Sequence, residues 1–261
     1  MHTKFVSGLL TGILGCCMSI GALAATGGQA SIATGFDSTS GNYGTSSNTS
    51  ILSIPVIAKY ETDSWMLKLT VPYIRVTSEN GVIPGVGIVS MKKLTKSTTS
   101  TQSGLGDIVA ASTYYAIQGD DETPGLDLTA KIKFPTADKN AGLGTGETDY
   151  ALQMDVYQSF NKVTLDGALG RKFLGSSVDL PLHDVFYGSV DAGYRASDRV
   201  TAGMGLYAAQ ASSDAGYNQL EFTVYVSGKI DKTKKIQGYL LKGLADGSPD
   251  TGLGVLFTFA L

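Results

Sequence analysis

Apolar and polar residues alternate along most of this chain. In the stretch "QLEFTVYVSGKI" at residues 219–230, every second residue from Leu220 to Val226 is apolar, and Glu221 stands between two of them. Successive side chains of a β-strand point to opposite faces, so the pattern predicts a strand with one apolar face and one polar face. Such an apolar face either lines the dry core of a soluble protein or covers the lipid-facing wall of a membrane barrel.

About twelve segments show this alternation, and helical spacing is missing. No run of about 18 apolar residues follows the N-terminal segment, so no transmembrane helix is predicted there. An even number of strands is typical of bacterial outer-membrane barrels. The candidate strands lie near residues 29–37, 49–60, 64–76, 106–117, 126–134, 150–160, 163–173, 184–195, 199–209, 219–230, 235–245 and 252–261.

Short and long connections follow each other along the chain. In a membrane barrel this rhythm is typical of tight periplasmic turns and longer extracellular loops. With an even strand count, both termini then face the periplasm, and the long loops narrow or plug the lumen if they fold inward. The short connections are 61–63, 119–123, 161–162, 197–198 and 231–233, and the long ones are 38–48, 77–105, 136–148, 174–183 and 211–216.

Charged residues on the polar faces decide which face points outward. The apolar faces contain many alanines and glycines, which are too small to fill the interior of a twelve-strand barrel. If the apolar faces meet lipid instead, the charged residues line the lumen, where we expect Lys131 and Asp155 on neighbouring strands to pair. The predicted lumen-lining residues are Lys68, Asp107, Asp127, Lys131, Lys133, Asp155, Asp166, Asp191, Glu221 and Lys229.

Aromatic residues and two prolines mark particular places along the strands. Aromatic rings near strand ends are expected to form girdles at the two bilayer interfaces. Pro55 and Pro72 fall inside candidate strands, where each removes a ladder donor, so we expect bulges or strand ends there. The girdle candidates are Tyr60, Trp65, Tyr73, Phe134, Tyr150, Phe160, Phe186 and Tyr194.

The N-terminus resembles a secretory signal peptide. Lys4 precedes an apolar stretch that ends in Ala22-Leu23-Ala24, so residues 1–24 form the predicted signal and residues 25–261 the barrel. Both cysteines lie within that signal. The balance of 20 basic and 23 acidic residues gives no basis for a nucleic-acid partner.

Several stretches of the chain resemble the MetA-pathway phenol-degradation family of outer-membrane proteins. They are "WMLKLTVPYIRV", "GLGDI", "LDLTAKIKFPTADKNAGLGTGETDY" and "YLLKGLADGSPDTGLG", in this order from Trp65 to Gly254. The resemblance implies an outer-membrane barrel that admits small hydrophobic or aromatic compounds. The chain departs from the usual aromatic end of such barrels, because it finishes "FTFAL" at Leu261.

Catalysis has few candidate residues. His183, beside Asp184, is the one histidine after the predicted signal, and no His-x-Ser spacing links it to Ser176, Ser177 or Ser189. With one histidine and no cysteine left, transition-metal sites are not expected. The sequence therefore predicts no catalytic residue, no metal site and no cofactor.

The sequence as a whole predicts a monomeric, all-β, antiparallel up-and-down barrel in the bacterial outer membrane. Its predicted function is to pass small solutes through a charged lumen. Its expected partners are outer-membrane lipid, the barrel-insertion machinery and a small solute. The alternatives are a lipid-modifying outer-membrane enzyme, a plugged structural or adhesive barrel, and a soluble secreted β-protein.

Overall fold

The chain forms β-strands and no long helix in the part that the structure describes. The computed structural model describes residues 5–7, 16–18, 28–78, 82–88 and 100–261. None of these residues belongs to a helix long and apolar enough to cross a membrane. The strands are β1 (Phe5–Ser7), β2 (Cys16–Met18), β3 (Gln29–Gly41), β4 (Thr49–Glu61), β5 (Trp65–Ser78), β6 (Val82–Ile83), β7 (Gly87–Ile88), β8 (Ser100–Leu105), β9 (Ile108–Ile117), β10 (Gly125–Phe134), β11 (Asp149–Phe160), β12 (Val163–Phe173), β13 (Val185–Arg195), β14 (Val200–Ala209), β15 (Gln219–Lys229), β16 (Lys234–Gly243) and β17 (Thr251–Ala260).

Twelve of these strands close into an antiparallel barrel. From β9 to β17 each strand pairs with the next, β5 pairs with both β4 and β9, and β3 pairs with both β4 and β17. The first and last barrel strands therefore meet, with Ile32 opposite Phe259. This confirms the predicted count of twelve strands and the up-and-down order. The predicted cleavage site after Ala24 lies outside the described residues, and the signal peptide stays a prediction.

The apolar face of each strand forms the outer wall. In the stretch at 219–230, Val226 is 57% exposed, whereas Glu221 on the opposite face is 4% exposed. The same contrast holds on β11, where Leu152 is 58% exposed and Asp155 is 1% exposed. In the hydrocarbon region of a bilayer, every backbone N–H and C=O group must find a hydrogen-bond partner within the protein. Closure of the barrel meets this requirement, because each of the twelve strands pairs with a neighbour on both sides. The interpretation of the sequence as a lipid-facing barrel is confirmed.

Exposed aromatic rings stand near both ends of the outer wall. Trp65 on β5 and Tyr114 on β9 are cross-strand neighbours whose ring centroids lie 4.7 Å apart, beside the short turns. All eight predicted girdle residues have exposed side chains: Tyr60, Trp65, Tyr73, Phe134, Tyr150, Phe160, Phe186 and Tyr194.

The connections alternate as the sequence predicts. Five connections of two to seven residues lie at one end of the barrel, and six connections of seven or more residues lie at the other. The sixth long loop, 244–250, is missing from the predicted set. The barrel thus has one end with tight turns and one end with long loops.

The expectation of bulges or strand ends at the two prolines is confirmed only for the ladders on their outer edges, and it is wrong for the ladder between β4 and β5. Pro55 and Pro72 lie directly opposite each other in the middle of β4 and β5, and the register continues unbroken through both. The interruptions occur in the flanking strands instead, because a proline has no N–H to donate to them. On one side, the β3–β4 ladder has no pairs between Thr34 and Asp37.

On the other side, Pro72 faces a break between β8 and β9. The segment Trp65–Thr70 of β5 pairs with β9, and Tyr73–Ser78 pairs with β8. Between them the Gly106 N–H donates to the Pro72 carbonyl oxygen at 2.8 Å. The strands β8 and β9 therefore act as one interrupted strand, and the candidate site is built partly at this interruption.

Candidate functional site: the lumen and its cavity

The predicted lumen residues point away from the outer wall. Nine of the ten alternate with exposed apolar residues along their strands, and Asp107 lies at the break between β8 and β9. Lys229 stands at the end of β15 and is exposed there. The nine strand residues are Lys68, Asp127, Lys131, Lys133, Asp155, Asp166, Asp191, Glu221 and Lys229.

Carboxylates form a band across four consecutive strands of the lumen. Asp166 on β12 lies directly opposite Asp191 on β13, and further carboxylates come from β10 and β11. Glycine makes room for one of them, since a Cβ at Gly205, the cross-strand neighbour of Asp191, would overlap the Asp191 carboxyl group. The alternation of the sequence predicts the band, but the room for Asp191 depends on a register that the sequence alone does not reveal.

The expected pairing of Lys131 with Asp155 is wrong as a direct contact. The Lys131 ammonium donates to the Gln153 side-chain oxygen at 2.7 Å, and the Gln153 amide donates to the Asp155 carboxylate at 2.6 Å. The Tyr187 hydroxyl donates to the same Gln153 oxygen at 3.0 Å. Gln153 therefore links the lysine to the aspartate and to the tyrosine. Lys131 and Asp155 are four residues, or two inward positions, apart along the register, which is too far for one lysine side chain to bridge easily.

Lys133 holds the loop after β10 against the barrel wall. Its ammonium lies 3.1 Å from Asp107 and 2.8 Å from Asp149, and it also donates to the Thr145 hydroxyl at 2.9 Å. Asp107 in turn accepts the Ala137 N–H at 3.0 Å. Asp107 thus anchors the loop at residues 135–148 at the break between β8 and β9.

Inward tyrosines packed on glycines are a feature that the sequence analysis did not identify. Tyr187 lies directly opposite Gly170, and a Cβ at that glycine would overlap the tyrosine ring. Tyr157 covers Gly125 in the same way. Along their strands these tyrosines alternate in step with the charged residues, whereas the girdle rings alternate in step with the apolar residues. This alternation is the sequence signal that could have placed the tyrosines in the lumen.

A short hairpin enters the mouth of the barrel at the long-loop end. We call residues 82–88, which contain β6 and β7, the cap. Val82 is 4% exposed and Ile83 is 2% exposed, and Ile83 packs against Leu180 and Leu182 of the loop after β12. The cap turns at Gly85, whose φ of +79° is a conformation that glycine adopts readily.

A hydrogen bond ties the cap to a second loop. The Ser212 hydroxyl donates to the Val86 carbonyl oxygen at 2.7 Å, across 126 positions of the chain. The connection between β5 and β8 therefore folds inward in its described part, as the sequence analysis considered for the segment 77–105. The loop at 135–148 also packs inward, with Leu143 against Ile74 and Val76 of β5.

A cavity of about 220 Å³ lies beneath the cap. Its apolar lining includes cap residues and neighbouring loop and strand residues: Val82, Ile83, Val86, Ile74, Leu143 and Leu174. Its ionic lining includes Lys131, Lys133, Lys172, Asp149, Asp191 and Glu221. One cavity therefore offers both apolar surface and ionic groups, a lining that suits an amphiphilic solute.

Tyr43, which follows β3, adds a neutral hydroxyl to this cavity. Burial raises the pKa of the Tyr43 phenol to about 12, so the group keeps its proton at neutral pH. Its hydroxyl oxygen lies 3.3 Å from the Thr39 hydroxyl, a hydrogen bond in which either oxygen can donate.

The residues considered for catalysis lie in the loop between β12 and β13 or on β13. The His183 side chain is about half exposed, with Nε2 4.0 Å from Asp214. The Ser176 hydroxyl accepts the Leu182 N–H at 2.9 Å. Ser189 is an inward residue of β13. Within the described ranges, no group of three or more His, Cys, Asp and Glu side chains could hold a metal ion.

Comparison with known proteins gives one family match and a shared fold. A sequence model of the family described as "Putative MetA-pathway of phenol degradation" matches residues 23–260. No curated protein matches the chain in sequence. An outer membrane channel from Pseudomonas putida F1 has a similar structure, with a TM-score of 0.70 and 14% identity, covering 91% of this chain and 97% of that one.

A second similar structure is the beta domain of the Bordetella autotransporter BrkA. It has a TM-score of 0.52 and 12% identity, covering 90% of this chain and 99% of that one. Both likenesses confirm the outer-membrane barrel fold. Because a channel and an autotransporter share it, the fold alone does not decide what the barrel does.

Proposed function

Since this chain belongs to the phenol-degradation family whose model covers residues 23–260, we propose that it is a channel of the bacterial outer membrane that admits small apolar or aromatic solutes. The family description names a pathway that degrades phenol, and one structure of the same fold is an outer membrane channel. The chain itself performs no catalysis in this proposal, and it uses no cofactor or metal.

The observation that carries the proposal is the cavity beneath the cap. It lies inside a lipid-facing barrel and combines the apolar residues Val82, Ile83 and Val86 with ionic groups. Pockets that hold small molecules are mostly apolar with a few placed polar groups. The lining therefore fits a small solute that carries both an apolar body and a polar group.

Passage requires two rearrangements. At the long-loop end the cap lies over the cavity, and in this proposal it moves aside as a solute enters. At the short-turn end the tyrosines and carboxylates fill the lumen, as the burial of Tyr157 at 6% and Asp127 at 1% indicates. We propose that the charged residues predicted from the sequence line this path and move as the solute passes.

The placement of the chain in the membrane is part of the same proposal. The long loops face the cell exterior and both termini face the periplasm, as in other single-chain bacterial barrels. The barrel acts as a monomer after the barrel-insertion machinery has placed it in outer-membrane lipid.

A flux assay tests the channel directly. The full chain is reconstituted into vesicles whose outer leaflet is lipopolysaccharide, and entry of labelled phenol is measured. We expect entry to be several-fold faster than in vesicles without protein. Equal rates, with the protein shown to be folded by its altered electrophoretic mobility when unheated, would contradict the proposal.

A plugged structural barrel is the second candidate function, and the cap favours it. If the cap never leaves the mouth, the protein is a scaffold rather than a channel. Planar-bilayer recordings separate the two functions, because a scaffold shows no current steps whereas a gated channel shows openings that become more frequent when the cap is weakened.

A further inference from the structure

The charged side chains on the outer wall of the barrel are cations. Among the charged residues in the described strands, the carboxylates occupy inward positions, whereas Arg75, Arg171, Lys234 and Lys242 occupy outward positions. A charge on the lipid-facing wall is costly in the middle of a bilayer and costs little near its edges. The positions of these four cations along their strands therefore decide what they can contact.

Three of these cations lie at the long-loop end of the barrel. Arg75, Arg171 and Lys242 each stand within the last four residues of a strand, β5, β12 or β16, that ends at a long loop. We call these three residues the loop-end cations. Lys234 lies at the opposite end of β16, where its ammonium pairs with Asp231 of the short turn at 3.3 Å. The described strands therefore present most of their outward positive charge at the long-loop end.

The loop-end cations are spread evenly around the barrel. In the order of strand pairing, β5 and β16 are four strands apart, β16 and β12 are four strands apart, and β12 and β5 are four strands apart. A protein partner would cover one contiguous patch of the wall, whereas these three side chains point in three different directions. The surrounding lipid is the partner that reaches all three.

An exposed leucine or tyrosine lies next to each loop-end cation, nearer the middle of the membrane. Tyr73, Leu169 and Leu240 stand two positions earlier on the same outward faces, and each is more than half exposed. A lipid with an anionic group at the edge of its acyl chains matches this arrangement. Its chains contact the leucine or tyrosine, and the long cationic side chain extends to the anionic group.

Arg171 is the loop-end cation with the most defined surroundings. Its guanidinium lies 5.0 Å from the centre of the Phe173 ring and 5.2 Å from that of the Phe186 ring, and Nη2 donates to the Asp184 carboxylate at 2.9 Å. The two rings attract the cation and hold it at the surface of the wall. A guanidinium carries several N–H donors, so one carboxylate contact leaves donors for a phosphate. The side chain is 45% exposed, and a lipid headgroup can therefore reach it.

We propose that the loop-end cations bind the phosphates of lipopolysaccharide in the outer leaflet, with its acyl chains against Tyr73, Leu169 and Leu240. Lipopolysaccharide carries its phosphates at the boundary between sugars and acyl chains, which is the depth at which the loop-end cations lie. Arginine binds phosphate through paired N–H donors, and lysine binds it as a point charge. The inference uses the proposed placement of the long loops outside the cell, and it holds whether or not the barrel passes a solute.

Native mass spectrometry of the detergent-folded full chain tests the lipid requirement without any substitution. The probes are lipid A, which is the phosphorylated anchor of lipopolysaccharide, the same molecule with its phosphates removed, and phosphatidylglycerol. We expect lipid A to bind at least about fivefold more tightly than either of the other two lipids. Equal binding of the dephosphorylated form overturns the inference, and equal binding of phosphatidylglycerol overturns the assignment to lipopolysaccharide.

A triple variant then locates the binding. The chain with Arg75→Gln, Arg171→Gln and Lys242→Gln should bind lipid A about fivefold more weakly and bind the dephosphorylated form as before. Lys234→Gln is the matched control, because Lys234 faces outward on the same strand as Lys242 but at the short-turn end. Unchanged lipid A binding in the triple variant overturns the inference. A loss confined to Lys234→Gln also overturns it, since that result assigns the lipid to the opposite end of the barrel.

Asp184→Asn separates a lipid contact at Arg171 from a purely structural ion pair. If Arg171 binds a lipid phosphate, the Asp184 carboxylate competes with that phosphate, and its removal should leave lipid A bound at least as tightly as before. Equal losses of lipid A binding in Arg171→Gln and Asp184→Asn would show that the ion pair only supports the local structure, and they overturn the phosphate contact. The altered electrophoretic mobility of each unheated variant shows that it is folded.

The phenol flux assay keeps the two proposals distinguishable. If phenol enters the vesicles but lipid A binds no better than its dephosphorylated form, the lipid inference fails and the channel stands. If phenol does not enter although the loop-end cations bind lipid A, the channel fails and the lipid site stands.

Discussion

Asp127 and Asp155 lie directly opposite each other on β10 and β11, with both carboxyl groups inside the lumen. Each residue is 1% exposed, and Asp155 accepts a hydrogen bond from Gln153. Like charges placed directly across a strand pair destabilise a sheet. Two carboxyl groups therefore face each other inside the lumen, shielded from bulk water.

Asp127→Asn should stabilise the barrel, because it removes one of the two opposed charges and keeps the size of the side chain. We expect the free energy of unfolding at neutral pH to rise by up to about 1 kcal/mol. Urea unfolding in lipid vesicles measures it, and Asp198→Asn in an exposed short turn is the control. A loss of stability would show that Asp127 is favourably paired.

Gly170→Ala should destabilise the barrel, because the added methyl group would overlap the Tyr187 ring. Overpacking of this kind costs about 1–3 kcal/mol. Gly167→Ala on the same strand is a matched control, since its nearest neighbouring atom is 4.0 Å away. The same unfolding measurement compares them, and equal effects would contradict the packing of Tyr187 on Gly170.

The fluorescence of Trp65 should be quenched by lipids that carry a quencher near the headgroup. Trp65 is the one tryptophan of the chain, and it is 49% exposed on the outer wall beside the short turns. Lipids brominated near the headgroup should therefore quench its emission more than lipids brominated near the chain end. A variant with Trp65→Phe and Tyr225→Trp places the only indole inside the lumen, where quenching should be weak. Strong quenching in that variant would contradict the orientation of the faces.

Weakening the cap should increase ion flow. Ser212→Ala removes a hydrogen bond worth about 1 kcal/mol, which corresponds to a several-fold rise in open probability. Ile83→Ala should have a larger effect, since Ile83 is 2% exposed and packs against two leucines. Single-channel recording measures both, with Val178→Ala, 91% exposed, as the control. If the open probability is unchanged in both variants, a part of the lumen other than the cap limits ion flow.

Asp231 should titrate at unusually low pH. The Thr233 N–H and hydroxyl and the Lys234 N–H donate to its Oδ1, and these bonds, the Thr233 N–H first, lower the pKa of the carboxyl from 3.8 to about 2. Because the folded pKa lies below the unfolded one, the stabilising effect of the turn is complete above about pH 4 and is lost as the pH falls through about 2. Carbon-13 NMR of the carboxyl group measures this, and a midpoint near 3.8 would contradict it.

The two faces of each strand were predictable because side-chain alternation is a local property. A few neighbouring residues are enough to show that Val226 faces outward and Glu221 inward, because successive side chains of a strand point to opposite faces. The contacts that shape the lumen depend on register between strands, which local patterns leave open. That is why the pairing of Pro55 with Pro72, the relay through Gln153 and the packing of Tyr187 on Gly170 needed the structure.

The cap and the anchoring role of Asp107 were even harder to predict from the sequence. Loops carry no period, so no pattern in the chain distinguished residues 82–88 from the rest of the long connection. Asp107 was predicted as a lumen charge, and its contact with Ala137 and Lys133 follows from how the neighbouring loop folds. Burial of Val82 and Ile83 within a loop is a tertiary effect.

The pairing of β3 with β17 also constrains how the barrel forms. Ile32 meets Phe259, so the ring closes between segments that are almost a whole chain apart. Joining such distant segments costs more chain entropy than forming a hairpin between consecutive strands. The hairpins can therefore form before β3 and β17 pair. The seam between the first and last strands is therefore expected to be the late step of folding, and a substitution there should slow assembly more than the same substitution within a hairpin.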